Sequence, residues 1–197
     1  MRRRIIPVTP KTLERSGLKC RSCTHWETAD SVAAGRGQNI KAKQLRRIIK
    51  ASGECGKLVC VGDKVLAYSQ YGPAEFWQGT KRFSSGPVSS DAILLTCLYV
   101  LPYAQGNGLG RVLLQSIEAS LVKRRVRAIE VFATRRDEHP PGPIEFYLQN
   151  GFYILRDDPQ FPLLRLELKT LVGWQINIQF ALDGLKIPAR VRSGALA

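Results

Sequence analysis

The sequence predicts an α/β domain, and three stretches carry that prediction. Residues 92–101 are an uncharged run rich in Leu and Ile, the pattern of a strand buried on both faces. Directly after it, Gln105-Gly106-Asn107-Gly108-Leu109-Gly110 is a glycine-rich turn that opens into a helical pattern. There Leu109, Leu113, Ile117 and Leu121, joined by Leu114, form one stripe, while Arg111, Gln115, Glu118 and Lys123 lie off it. Residues 128–134 then alternate as a half-buried strand does, with Ile129, Val131 and Ala133 on one face and Glu130, Phe132 and Thr134 on the other.

Taken in order, residues 5–8 read as a first strand, and Thr9 with Pro10 reads as the cap and first position of a helix. Met1-Arg2-Arg3-Arg4 is followed by no long apolar core, so no signal peptide is expected. No stretch reaches the roughly 18 apolar residues that span a bilayer. A cytoplasmic protein is therefore expected, with its five cysteines held as thiols or metal ligands rather than disulfides. Cys20-Arg21-Ser22-Cys23 with His25 offers three zinc ligands, and a fourth would need Cys55 or Cys60 to fold back. Buried thiols or a redox-sensitive pair are the default reading, and no metal is expected.

Residues 28–40 read as a connection. Residues 41–51 read as a helix with Leu45, Ile48 and Ile49 inward and Lys41, Lys43, Arg46, Arg47 and Lys50 outward, a solvated face or a nucleic-acid face. Gly53 ends it. Residues 57–61 and 65–71 are two strands joined by the hairpin signal Gly62-Asp63-Lys64. Residues 72–90 form a long loop whose Phe76, Trp77 and Phe83 either line an acceptor pocket or pin the loop down. Residues 135–142 are a second loop, in which His139 reads as a surface residue or a base near neutral pH. Pro143 then starts a short helix that Asn150-Gly151 ends, and residues 151–156 and 163–168 read as the last strands of the domain. Beyond it, Trp174, Ile176, Ile178 and Phe180 alternate with polar residues as one more strand, extending the sheet or pairing with a second subunit in a homodimer. The final residues read as disordered.

The length of 197 residues suits one domain with an appendage, and 44% hydrophobic residues supply a core. A formal charge of +14 favours anionic partners such as phosphates, nucleic acid, ribosomes or acidic substrates, without choosing among them. The glycine turn adds a specific anion site. Glycines let the backbone turn tightly and approach a ligand, and the first amides of the helix carry the positive end of its dipole. Its spacing is neither the nucleotide phosphate loop nor the dinucleotide fingerprint.

That spacing, Gln105-x-x-Gly108-x-Gly110 after Val100-Leu101-Pro102, resembles the acyl-CoA motif of the GNAT superfamily of N-acyltransferases. Phe146-Tyr147-Leu148-Gln149-Asn150-Gly151-Phe152 is similar to a second block of the same family. The resemblance spans about residues 5–169, with a cysteine-containing insertion at about 18–40, and leaves 170–197 as an extension. It implies a single mixed sheet of six or seven strands flanked by helices, with the acyl-CoA cleft between the central strand and the next one. It further implies an acetyl-CoA-dependent N-acetyltransferase acting on an amine. The cofactor would be held by Leu98, Tyr99, Val100, Gln105, Gly106, Asn107, Gly108, Leu109, Gly110 and Arg111. Glu130 would be the general base and Tyr147 the acid beside the CoA sulfur. From the residues alone, Glu130 is equally an edge or salt-bridge residue, and Tyr147 a packing aromatic. The asparagine that often precedes the second block is absent; Pro140-Pro141-Gly142-Pro143 stands there, and that contact is not carried over. The competing classes are a catalytically silent GNAT-like module whose basic surface binds nucleic acid or ribosome, and a zinc-stabilised structural protein.

Overall fold

The computed structural model describes residues 2–30, 32–33, 35–136, 140–168 and 178–185. Seven strands, β1 (Arg3–Pro7), β2 (Lys57–Val61), β3 (Lys64–Pro73), β4 (Ala92–Val100), β5 (Ala128–Phe132), β6 (Tyr153–Arg156) and β7 (Leu163–Glu167), form one sheet in the order β1-β2-β3-β4-β5-β7-β6. β4 and β5 run parallel and the other neighbours antiparallel, so the sheet is mixed and open. The helices are α1 (Pro10–Arg15), α2 (Gly37–Ser52), α3 (Leu109–Lys123), α4 (Ile144–Leu148) and α5 (Ile178–Asp183). None of the described helices is long and apolar enough to cross a membrane.

The sheet divides the apolar residues into two cores. On one face, the α3 stripe of Leu109, Leu113, Ile117 and Leu121 packs with Leu95, Ile129 and Val131. On the other, Leu45 and Ile48 of α2 pack with Trp26, Leu94 and Phe132. Each fully buried side chain of this kind is worth about 1.5–3 kcal/mol. The predicted turn chemistry holds as well. Thr9 and Thr12 form a reciprocal cap at the start of α1, and Gly53, at φ 77°, closes α2 in the left-handed conformation.

The loop between β3 and β4 is pinned down by its aromatics. Trp77 and Phe83 are buried, and the Phe83 ring stacks 4.5 Å from Phe132 and 5.3 Å from Trp26. Phe76 lies under the Arg47 guanidinium instead. Of these aromatics none lines the cavity described below.

Two expectations are corrected. Lys41 is not on the solvated face of α2: it is buried, and its Nζ lies 2.7 Å from Glu27 Oε1 and 2.9 Å from Gln70 Oε1. The Gln70 amide also donates to Glu27 Oε1 at 2.7 Å, so the ammonium is ion-paired within a buried polar cluster. Lys43, Arg46, Arg47 and Lys50 are exposed as predicted. The second correction concerns Ile178 and Phe180, which belong to a helix rather than to a strand able to pair with a second subunit. Ile178, Ala181, Leu182 and Leu185 recur at helical spacing and pack on the α3 side of the sheet, while Arg3 donates to the Leu182 carbonyl at 2.8 Å. Trp174 and Ile176 lie outside the described residues, as does His139.

Candidate active site

The parallel pairing of β4 with β5 is short. It covers Ala92↔Ala128, Ile93↔Ile129 and Leu94↔Glu130, after which β4 continues to Val100 without β5 as a partner. The strands splay, and a cavity of about 670 Å³ opens beside the outer half of β4. Leu98, Tyr99 and Val100 line one wall; Gln105, Gly106, Gly108, Leu109, Gly110 and Arg111 form the turn; Pro143, Phe146 and Tyr147 close the opposite side. The predicted acyl-CoA residues therefore converge on one cavity, with one exception. Asn107 turns its amide back onto the loop, donating to the Gln105 carbonyl at 2.7 Å, and does not line the space. Gln105 is also partly committed, since its Nε2 donates to the Val100 carbonyl at 3.0 Å.

The turn is shaped for close approach. Gly108 is the N-cap of α3 at φ 77°, in a region where side chains are strained, and it brings no side-chain cap. The first amides of the 15-residue α3 therefore face the cavity end without an internal partner. A Cβ at Gly110 would stand 3.2 Å from the Phe146 ring and 3.5 Å from Leu98, filling the passage between the two walls.

Sequence reading missed Ala104, Arg136, Gly142, Pro143, Phe146, Gln149 and Asn150, which also line the cavity. The last two lie inside the second motif block, whose helical spacing was the available signal. Arg136 arrives from a loop and carried none.

Tyr147 is buried at 2% exposure on α4 and lines the cavity. Its ring packs edge-on against Phe146 and Phe152, and burial pushes its hydroxyl well above the ordinary tyrosine range. It is a proton holder throughout the neutral range.

Glu130 is placed differently from the base expected of it. Its side chain is fully buried and does not line the cavity. One carboxylate oxygen lies 2.8 Å from Arg165 Nη1, and the other accepts from the Ser89 amide at 2.9 Å. Arg165 also binds both carboxylate oxygens of Asp91, at 3.0 and 2.9 Å, and Glu167 at 2.6 Å. Its hydrogen bonds hold the Asp91 and Glu167 carboxyls below their usual range. The salt-bridge alternative is the one this geometry supplies, because both carboxylate oxygens are taken up by Arg165 and the Ser89 amide, away from the cavity. Cysteine and histidine do not gather here either: among the described residues no three His, Cys, Asp or Glu side chains are grouped to hold a metal ion.

On α3 itself, Glu118 is buried at 7% exposure, and burial raises its carboxyl from 4.5 to about 7, against a smaller opposing pull from Arg111. A carboxyl raised on folding takes up protons more tightly in the native state, so stability falls as pH climbs from 4.5 towards about 7. Glu118→Gln should therefore raise thermal stability near pH 8, by about 1–3 kcal/mol, and leave it unchanged near pH 4. Melting curves at the two pH values check this; an equal gain at both would place the effect in packing instead.

Residues 58–154 match the family model described as an acetyltransferase (GNAT) domain. Among solved structures the chain resembles the PaiA N-acetyltransferase of Thermoplasma acidophilum in complex with coenzyme A, at 16% identity and TM-score 0.58, covering 85% of this chain and 99% of that one. It also resembles an N-acetyltransferase from Staphylococcus aureus Mu50, at 14% identity and TM-score 0.59, over 85% and 99% of the two chains. The ribosomal-protein-S18-alanine N-acetyltransferase of Escherichia coli is similar at 17% identity and TM-score 0.54, over 85% and 94%. At such identities the likeness is one of fold. No curated protein matches the sequence.

Proposed function

Because the chain belongs to the GNAT acetyltransferase family, matched over residues 58–154, we propose that it transfers an acetyl group from acetyl-CoA to an amine. The observation that carries the reading is the cavity itself, in which the uncapped N-terminus of α3, three glycines of the turn and the splayed end of β4 meet. The residues fit acetyl-CoA: Gly108 and Gly110 leave room that a Cβ would take, and the α3 amides suit a pyrophosphate. Leu98, Tyr99 and Val100 would hold the pantetheine arm as an added strand is held, and Arg111 would stand by the phosphates. When bound, acetyl-CoA supplies an activated acyl thioester that an amine attacks without a protein nucleophile.

The chain's own contribution is positioning and one proton. The cavity walls orient the thioester between β4 and α4, and the Tyr147 hydroxyl is the group that delivers a proton to the departing sulfur. Glu130 acts as a positioning residue for the strand pair rather than as the base. Glu130→Gln should lower stability by about 1.5–3 kcal/mol, the size of a charged hydrogen bond, and leave the shape of the pH-rate profile intact. Loss of the profile's lower limb in that variant would restore the base assignment. The proposal as a whole is tested by an acetyl-CoA turnover screen against amines, polyamines, peptides and aminoglycosides. Binding of acetyl-CoA with no acyl transfer to any of them would leave a ligand-binding module in its place.

A further inference from the structure

α2 and its N-cap present Arg36, Lys43, Arg46, Arg47 and Lys50 to solvent, and no carboxylate occurs anywhere from residue 36 to residue 52. At about 100° per residue the five cations fall within an arc of about 100°, a single stripe about 21 Å long. Lys41 lies on the opposite side and is buried. Such a stripe works against its own helix. Lys43 with Arg47, and Arg46 with Lys50, are like-charged neighbours one turn apart. Arg36 stands at the positive end of the dipole, where an acidic residue is the favourable choice. A helix face that only meets water ordinarily interleaves the two signs, and this one does not.

The charge continues beyond the helix. Arg46 shares a hollow of about 350 Å³ with Lys11 of α1 and Arg21 of the turn Lys19–Arg21. Gln38 and Asn39 bring amide groups to it. Glu14, the only carboxylate among the described residues that line it, already accepts from Gln38 Nε2 at 3.3 Å. Arg47 is steadied by Phe76, whose ring centre lies 5.6 Å from its guanidinium carbon.

We propose that this face docks the phosphate backbone of a nucleic acid without reading its sequence. Phosphates placed along the stripe remove the repulsion that the helix carries alone, and guanidinium and amide groups supply the hydrogen bonds. The stripe spans about six phosphates of one duplex strand, at about 3.4 Å each along the axis. A small phosphorylated ligand would fill the hollow and leave Arg36, Lys43, Arg47 and Lys50 without an anion. The proposal does not rest on the acyl-transfer reading, and the hollow shares no residue with the cavity beside β4.

Fluorescence anisotropy of a labelled oligouridylate, titrated with the full chain across a range of salt, tests it. Counterion release on a single strand gives log K a slope of about −0.7 per phosphate contact on log salt, so five contacts give roughly −3.5. Arg46→Gln/Arg47→Gln/Lys50→Gln should flatten the slope to roughly −1.4 and weaken binding about a hundredfold at about 0.1 M salt. Lys43→Gln alone should take it to roughly −2.8. These changes relieve like-charge pairs, so the variants should stay folded, which circular dichroism checks. An equal change of charge at the exposed end of α3, Lys123→Gln/Arg125→Gln/Arg127→Gln, should leave the slope as it is in the wild type. No binding by the wild type at low salt, or equal losses in the two triple variants, would overturn the assignment. So would a labelled polyglutamate chain bound as tightly as the RNA, which would give the face to an acidic protein instead.

Discussion

Gly108→Asp is expected to abolish acetyl-CoA binding while the domain stays folded. The position is the N-cap of α3 at φ 77°, and among the described residues a Cβ there meets only the flexible end of Leu185, at 3.0 Å. Aspartate tolerates this backbone region better than most residues and is itself a good N-cap, so the helix survives. What changes is the charge in front of the amides. A carboxylate about 4 Å from a phosphate costs roughly 4 kcal/mol at an effective dielectric near 20, about a thousandfold in affinity. Titration calorimetry beside a melting curve separates the two effects. Equal affinities in variant and wild type would remove the turn from the site.

Tyr147→Phe should lower turnover by about 10²- to 10⁴-fold, with acetyl-CoA affinity little changed. The ring keeps its contacts with Phe146 and Phe152, so stability is not the cause. The pH dependence gives an independent sign. Because burial raises the Tyr147 hydroxyl above its ordinary range, wild-type turnover should show no alkaline fall at the roughly pH 10 of a free tyrosine. A nearly silent Tyr147→Phe would leave substrate positioning as the whole of the catalysis.

Much of this arrangement was legible before any coordinates. The uncharged run of β4 and the stripe of α3 report one-sided or two-sided burial directly, and the glycines of the turn report a backbone that must bend between them. What was not legible depended on pairs distant in sequence. Nothing local to Lys41 announces that Glu27 and Gln70 wait for it beneath α2, and nothing near Glu130 announces Arg165. The error over Ile178 and Phe180 has a different origin. Their alternation with polar residues fits a period of two, but Ile178, Ala181, Leu182 and Leu185 fit 3.6 as well, and contact with α3 and β1 decides between them. The aromatics at 76–83 left open whether they lined a pocket or anchored the loop, because their partners Trp26, Phe132 and Arg47 lie far off in the sequence.

The brief contact between β4 and β5 gives the sheet the mechanics of two plates joined along a short seam. One plate is β1 to β4, the other β5, β7 and β6, and three residue pairs form the seam. Asp91 stands just before the first pair and Glu130 occupies the last, so Arg165 rivets both ends of the joint from the neighbouring strand. The gap beyond the seam can then widen only by bending about this rivet, which makes the ion cluster the fulcrum that sets how far the two plates stand apart.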